Sequence, residues 1–159
     1  MQLSLHTDYA LRVLMLLGGT GTQWTIDEIA AWYGISRNHL AKVVQGLQAE
    51  GLVETQRGRG GGLRLARDPA EIVIGHVVRR LERFDGFVSC MGAGTDCTIS
   101  GHCQLKPALA GALEAFLTHL DQFTLADHVS RSDRRVWDRL KGGAGTAAPA
   151  AISTPASSA

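Results

Sequence analysis

Cysteine is scarce and confined in this chain: its three thiols, Cys90, Cys97 and Cys103, all lie in the stretch SCMGAGTDCTISGHC at residues 89–103. Six and then five residues separate them, which is neither the CxxC pair of a zinc knuckle nor, the number being odd, a closed set of disulfides. Also missing is any apolar run approaching the ~20 residues that a membrane span requires. The N-terminal stretch MQLSLHTDYALRVLMLLGG is interrupted by Asp8 and Arg12 and lacks a basic leader, so neither export nor insertion is expected and the cytoplasm is the expected location. In that reducing compartment clustered thiols serve metal or redox chemistry more often than structural disulfides. A net charge of only +1 supplies no global attraction to nucleic acid, and charge has to be read segment by segment. No paired carboxylates and no nucleophile beside a base stand in an identifiable motif, so no enzyme is expected.

What is present is helical patterning around one core, the amount that 159 residues with 45% hydrophobic content can bury. In residues 4–17, Leu5, Tyr9, Val13, Leu16 and Leu17 recur at spacings of three and four, with Gly18, Gly19 and Gly21 expected to stop the helix. Thr25, followed three residues on by Glu28, forms a capping box that opens a short helix from Ile26 to Tyr33. Gly34 breaks that helix, and Ser36 caps a second one, whose stripe Leu40, Val43, Val44 and Leu47 must face a core before Gly51 ends it. Two helices joined by a tight glycine turn form a helix-turn-helix pattern. The following LVETQRGRGGGLRLARD reads as strands Leu52–Gln56 and Leu63–Leu65 around a glycine-rich turn. The expected fold is therefore mainly α, a winged helix-turn-helix with a small β-hairpin wing.

Between Ser36 and Arg67, six cations (Arg37, Lys42, Arg57, Arg59, Arg64 and Arg67) face two acids (Glu50 and Glu54), a local net charge of +4. Most such runs are solvated faces. Here the charges fall on the two elements that would touch DNA: the first turns of the second helix, with Ser36, Arg37, Asn38, His39 and Lys42, and the wing tip. Glycines in RGRGGG would let a narrow wing approach a groove that Arg57 or Arg59 enters.

A further helix is expected over residues 72–84, after which regular patterning fails until Leu105. A gap of that length inside a compact domain is usually functional or disordered, and it contains all the cysteines. From Leu105 a helical stripe resumes through Leu109, Leu113, Phe116, Leu117 and Leu120, with more apolar surface than so small a core absorbs, so pairing with a second copy is expected. Residues 142–159 contain seven Ala, five Ser or Thr, three Gly, two Pro and no charge, the composition of a disordered tail. The expected organisation is a DNA-binding domain over 1–83, a cluster-binding loop over 84–104, a dimerisation helix and C-terminal segment over 105–141, and the tail over 142–159. Three thiolates in a glycine-rich loop suit an iron-sulfur cluster, whose bulk needs backbone that bends around it. Zinc is the rival; it wants four tetrahedral ligands, and His102 beside Cys103 is more simply a loop residue than a fourth one. Three unrelated free thiols are the plainest alternative.

The order of TDYALRVL, ISRNHLAKVV, RGRGGGLRLA, IVIGHVVRRLE, CTISGHCQLKPAL and FLTHLDQFTLAD resembles the Rrf-two family of iron-sulfur winged-helix repressors over residues 1 to about 130, and within it the nitric-oxide-sensing branch. The resemblance implies a homodimeric repressor of double-stranded operator DNA with one [4Fe-4S] cluster per subunit, a [2Fe-2S] form being the alternative. It implies Cys90, Cys97 and Cys103 as ligands and Asp8, from the partner subunit, as the fourth. Without the family, Asp8 would be read as a favourable charge near a helix N-terminus. Arg12, one turn on, stands where it would hold that carboxylate. The Cys90 to Cys97 spacing departs from the family by one residue among Met91, Gly92, Ala93 and Gly94, where glycine absorbs it. The rivals are an iron-sulfur-supply or redox-sensing regulator of the same family, a small electron carrier, and a zinc-stabilised DNA-binding module. A lone cysteine set and a basic wing count against the electron carrier.

Overall fold

Local capping signals set most element boundaries in the computed structural model, which describes residues 2–56, 58, 60–84, 98–99 and 102–131. Helix α1 runs Leu5–Thr20, opened by Ser4, whose hydroxyl accepts the Thr7 amide. It passes through Gly18 and Gly19 rather than stopping there, and ends at Gly21, which takes the left-handed conformation (φ 60°) and returns its N–H to the Leu17 carbonyl. A helical glycine costs about 1 kcal/mol relative to alanine, but at Gly18 it admits a second helix: a Cβ there would stand 3.2 Å from Leu125 Cδ2 and 3.3 Å from Val129 Cγ1.

Helices α2 (Ile26–Tyr33) and α3 (Arg37–Ala49) form the expected helix-turn-helix. The Thr25 capping box is complete, with the Thr25 amide donating to Glu28 Oε2 at 2.7 Å and the Glu28 amide donating to Thr25 Oγ1 at 3.2 Å. The wing is β1 (Val53–Gln56) paired antiparallel with β2 (Gly62–Leu65), Val53 opposite Leu65 and Gln56 opposite Gly62. Leu52 is left out of the strand because its amide still closes the end of α3, donating to Leu47 O at 2.9 Å. Trp24 adds a bridge to the outer side of β2, exchanging two backbone hydrogen bonds with Leu63 at 3.1 and 2.7 Å.

After a 3₁₀ turn at Pro69–Glu71, α4 occupies Ile74–Leu81, shorter than the expected 72–84. Ile72 and Val73 are extended instead: Val73 bridges to Thr124, and the Leu125 amide donates to Ile72 O at 2.8 Å. The same bridge divides the last apolar stretch into α5 (Leu105–Leu120) and α6 (Leu125–Arg131), with Thr124 tied by its amide to Asp127 Oδ2 at 2.9 Å. Arg79 of α4 fixes the end of α5 through ion pairs to Asp121 and Glu114.

One core joins these pieces. Leu14 and Leu16 of α1, Leu40 and Leu47 of α3, Ile72 and Leu125 are fully buried, and Leu63 of β2 nearly so, each such side chain contributing about 1.5–3 kcal/mol of transfer free energy. Helix α1 lies at its centre, packed on α3 on one side and α6 on the other. Helix α5 buries only Leu113 and Leu117, and its first turn leaves Leu105 64% exposed. Among the described residues no helix is long and apolar enough to cross a membrane.

Candidate nucleic-acid interface and metal ligands

The cap of α3 decides which side chains face outward. Ser36 Oγ accepts the His39 amide at 3.3 Å, which fixes the first turn, and burial of Leu40, Val43, Val44 and Leu47 turns the opposite face out. Ser36, Arg37, Asn38, His39 and Lys42 are all exposed on it. Gln48 Nε2 donates to Thr55 Oγ1 at 2.7 Å and ties the far end of α3 to the wing, so helix and hairpin present one surface.

The charge of that surface differs from the charge of its sequence. Arg64 lies directly opposite Glu54 in the hairpin and pairs with it at 2.5 Å. Arg67 turns back to serve the end of α3, its Nε donating to Gly51 O at 3.1 Å. Arg37 pairs through Nε with Asp27 Oδ1 of α2 at 2.6 Å. Of the six cations counted along the chain, Lys42 alone among the described residues has no ion-pair or hydrogen-bond partner, while Arg57 and Arg59 lie outside the described residues. Asp27 escaped the sequence reading because nothing in linear spacing brings it to Arg37; only the crossing of α2 and α3 does.

Asp8 lies on the exposed side of α1, one turn from its N-terminus. Arg12 grips it as a fork, Nη2 to Oδ2 at 2.9 Å and Nε to Oδ1 at 3.1 Å, as the i, i+4 spacing predicted. The guanidinium carbon is 6.0 Å from the ring centroids of both Tyr9 and Tyr33, and Tyr33 donates its hydroxyl to Arg12 O at 3.2 Å. Hydrogen bonding to Asp8 raises the Arg12 pKa against the opposing effect of burial, so the carboxylate sits beside a permanent cation, and burial raises the Tyr33 hydroxyl pKa as well. Cys103 is half-buried just before α5, and His102 is exposed in a turn closed by its amide on Ile99 O at 3.0 Å. Cys90 and Cys97 lie outside the described residues, and among the described ones no three metal-binding side chains gather.

A second carboxylate near this end of α1 carries no obvious sequence signal. Glu82 Oε2 accepts the Ser4 amide at 2.8 Å and the Ser4 hydroxyl at 2.9 Å, clasping the start of α1 to the end of α4, where the cysteine-bearing segment begins. Burial pushes the Glu82 pKa up, but hydrogen bonds from the Ser4 amide and from the Thr7 and Ser4 hydroxyls outweigh it and leave the group below the ordinary carboxylate value. A lowered folded-state value stabilises the fold above the ordinary carboxylate value, and that contribution disappears as pH falls through the lowered one. Glu82→Gln should therefore lower the urea midpoint at neutral pH and flatten its decline on acidification. Superimposable pH profiles for the two proteins would show that the clasp adds nothing.

Comparison with known proteins agrees with this geometry. A family model, Rrf2, described as an iron-dependent transcriptional regulator, matches residues 3–131. The chain is 51% identical over 130 residues to the HTH-type transcriptional regulator NsrR of Geobacillus kaustophilus (strain HTA426), covering 80% of this chain and 88% of that relative. It is 47% identical over 136 residues to the regulator of the same name from Bacillus subtilis (strain 168), covering 84% and 93%. Among solved structures, IscR of T. potens superposes with a TM-score of 0.67 at 25% identity over 85% of this chain and 90% of that one. CymR (YrzC), the global cysteine regulator of B. subtilis, shares the fold with a TM-score of 0.64 at 23% identity, covering 84% and 99%. These relatives are transcriptional regulators and not enzymes. A family match over most of the length, on a winged helix whose second helix turns a polar face outward, places this chain in the Rrf2 family of iron-dependent transcriptional regulators.

Proposed function

We propose that the chain is a nitric-oxide-sensing repressor that holds operator DNA as a homodimer while each subunit carries a [4Fe-4S] cluster, and that releases the DNA when nitric oxide attacks the cluster. The observation that carries this is the double role of α1: it presents Asp8 at one end and packs along α3, the helix whose exposed face suits DNA. A carboxylate able to ligate iron and the DNA-reading element thus belong to one packed unit. The 47–51% identity to two regulators named NsrR supports the nitric-oxide-sensing branch that the sequence resembles.

The donor set fits such a cluster chemically. Cys90, Cys97 and Cys103 supply soft thiolates, and Asp8 of the partner subunit supplies a harder, more exchangeable oxygen. When bound, the cluster supplies iron that takes nitric oxide as a ligand. The rest falls to the chain. The thiolates would hold the iron, Arg12 orients the Asp8 carboxylate through its fork, and Asp8 would link one subunit to the other, so that its release would let the two α3 helices change spacing and lose the fit to paired half-sites. Ser36, Arg37, Asn38 and His39 would enter the major groove and Lys42 would meet its phosphates, with Arg57 or Arg59 in the neighbouring groove. The exposed Leu105 and the small residues that follow it on α5 give a second copy of the chain an apolar face to cover. A cytoplasmic location fits three cysteines kept reduced.

Protein purified without air should be brown, with iron and sulfide in equal amounts. Anaerobic nitric oxide should shift the cluster absorption and release the operator in parallel. A cluster that reacts while DNA stays bound would end the nitric-oxide assignment, release by oxidants or cluster depletion alone would favour the redox- or supply-sensing alternative, and colourless protein containing zinc would favour the zinc module.

A further inference from the structure

We infer that Asp27 is a specificity-determining residue of the DNA surface: it holds Arg37 by Nε, so that the outer edge of the guanidinium, Nη1 and Nη2, is presented to a guanine in the major groove. The inference rests on α3 being the DNA-recognition helix. Arg37 is the first residue of α3 and Asp27 the second of α2, and Nε meets Oδ1 at 2.6 Å with the two side chains 65% and 69% exposed. Both backbones are fixed, Asp27 by the Thr25–Glu28 capping box and Arg37 by the Ser36 cap. No other hydrogen bond to the Arg37 side chain occurs among the described residues. The pair borders a cleft whose far side is the wing, at Thr55 and Gln56, and the exposed guanidinium is accessible from it.

The chemistry of the fork explains the arrangement. Arginine has five N–H donors in a rigid plane; with Nε engaged, the remaining edge offers two parallel donors, which match the O6 and N7 acceptors of guanine. A buttressed side chain also surrenders less rotamer freedom on binding than a free one. Stability does not account for the pair, because exposed ion pairs stabilise a fold little. Non-specific affinity does not account for it either, because Asp27 places a negative charge on a surface that must approach phosphates. What a carboxylate adds here is direction.

The test uses anaerobically purified full-length protein and an operator selected from a random duplex library. Fluorescence anisotropy is measured on that operator, on versions changed one base pair at a time, and on random duplex. Asp27→Ala should bind random duplex at least as well as wild type, yet lose about 10-fold or more of its preference at one G·C pair per half-site, within the range of a lost bidentate contact. Arg37→Ala should lose preference at the same pair, and the double variant should lose no more. Arg37→Lys keeps the charge without the fork, and should keep random-duplex affinity while losing the preference. Equal strengthening of specific and random binding by Asp27→Ala would make Asp27 a mere repelling charge and overturn the proposal, as would preferences lost at different base pairs in the two single variants. Wild-type protein that did not discriminate any sequence from random duplex would instead remove the recognition-helix reading beneath it.

Discussion

Replacing any one of Cys90, Cys97 or Cys103 by alanine should yield a colourless protein whose operator affinity falls at least about 10³-fold, the lower end of the usual gap between specific and non-specific binding. Thiolates carry most of the free energy that binds a cluster, and an iron left with a missing sulfur is lost rather than retained weakly. Asp8→Ala should behave differently. The three thiolates remain, so brown protein with a less durable cluster is expected, and the Arg12 fork loses the carboxylate that occupies both its Nε and Nη2. Cluster loss in air, followed by absorption, should be faster for Asp8→Ala than for wild type, while freshly prepared anaerobic protein keeps its iron. Identical behaviour of the cysteine and aspartate variants would mean that Asp8 is no exchangeable ligand, and retention of colour by any cysteine variant would remove that residue from the ligand set.

The second large effect concerns the dimer. A duplex carrying one half-site should bind about 10²–10⁴-fold more weakly than one carrying both, since the second contact is made at the high effective concentration set by the first. The preferred site should be a near-palindrome with half-site centres one or two helical turns apart. Binding should also weaken steeply with salt, by about 10³-fold between 50 and 200 mM if some six phosphates are neutralised across the dimer. With Arg64 paired to Glu54 and Arg67 hydrogen-bonded to the Gly51 carbonyl, much of that phosphate contact would fall to Lys42, the wing tip and backbone amides. Lys42→Ala should therefore lower the salt slope by about one per subunit. Equal affinity for whole and half sites would contradict the dimer, and an unchanged slope would take Lys42 off the phosphates.

Most of the secondary structure was legible before any coordinates. Thr25 and Ser36 each cap a helix where the local pattern places them, and the buried stripe of α3 is the one its spacing dictates. The misjudged boundaries share a cause. Gly18 and Gly19 read as a stop, yet α1 continues because α6 lies against Gly18, and α4 starts late because Ile72 and Val73 pair with the residues between α5 and α6. A partner fifty or more residues away overrides a local preference worth about 1 kcal/mol.

The same distinction runs through the candidate site. By itself the sequence determined the helix-turn-helix, the hairpin, the clustered thiols and the Asp8–Arg12 neighbours, because each depends on contacts within a few residues, which spacing alone fixes. Tertiary structure alone decided that Arg37 is held by Asp27, that Arg64 is paired with Glu54 and Arg67 with the Gly51 carbonyl, and that Glu82 clasps Ser4 across 78 positions. Charges and hydrogen-bonding groups interact through space, falling off within a few ångströms, and a count along the chain cannot tell which of them the fold brings within that reach.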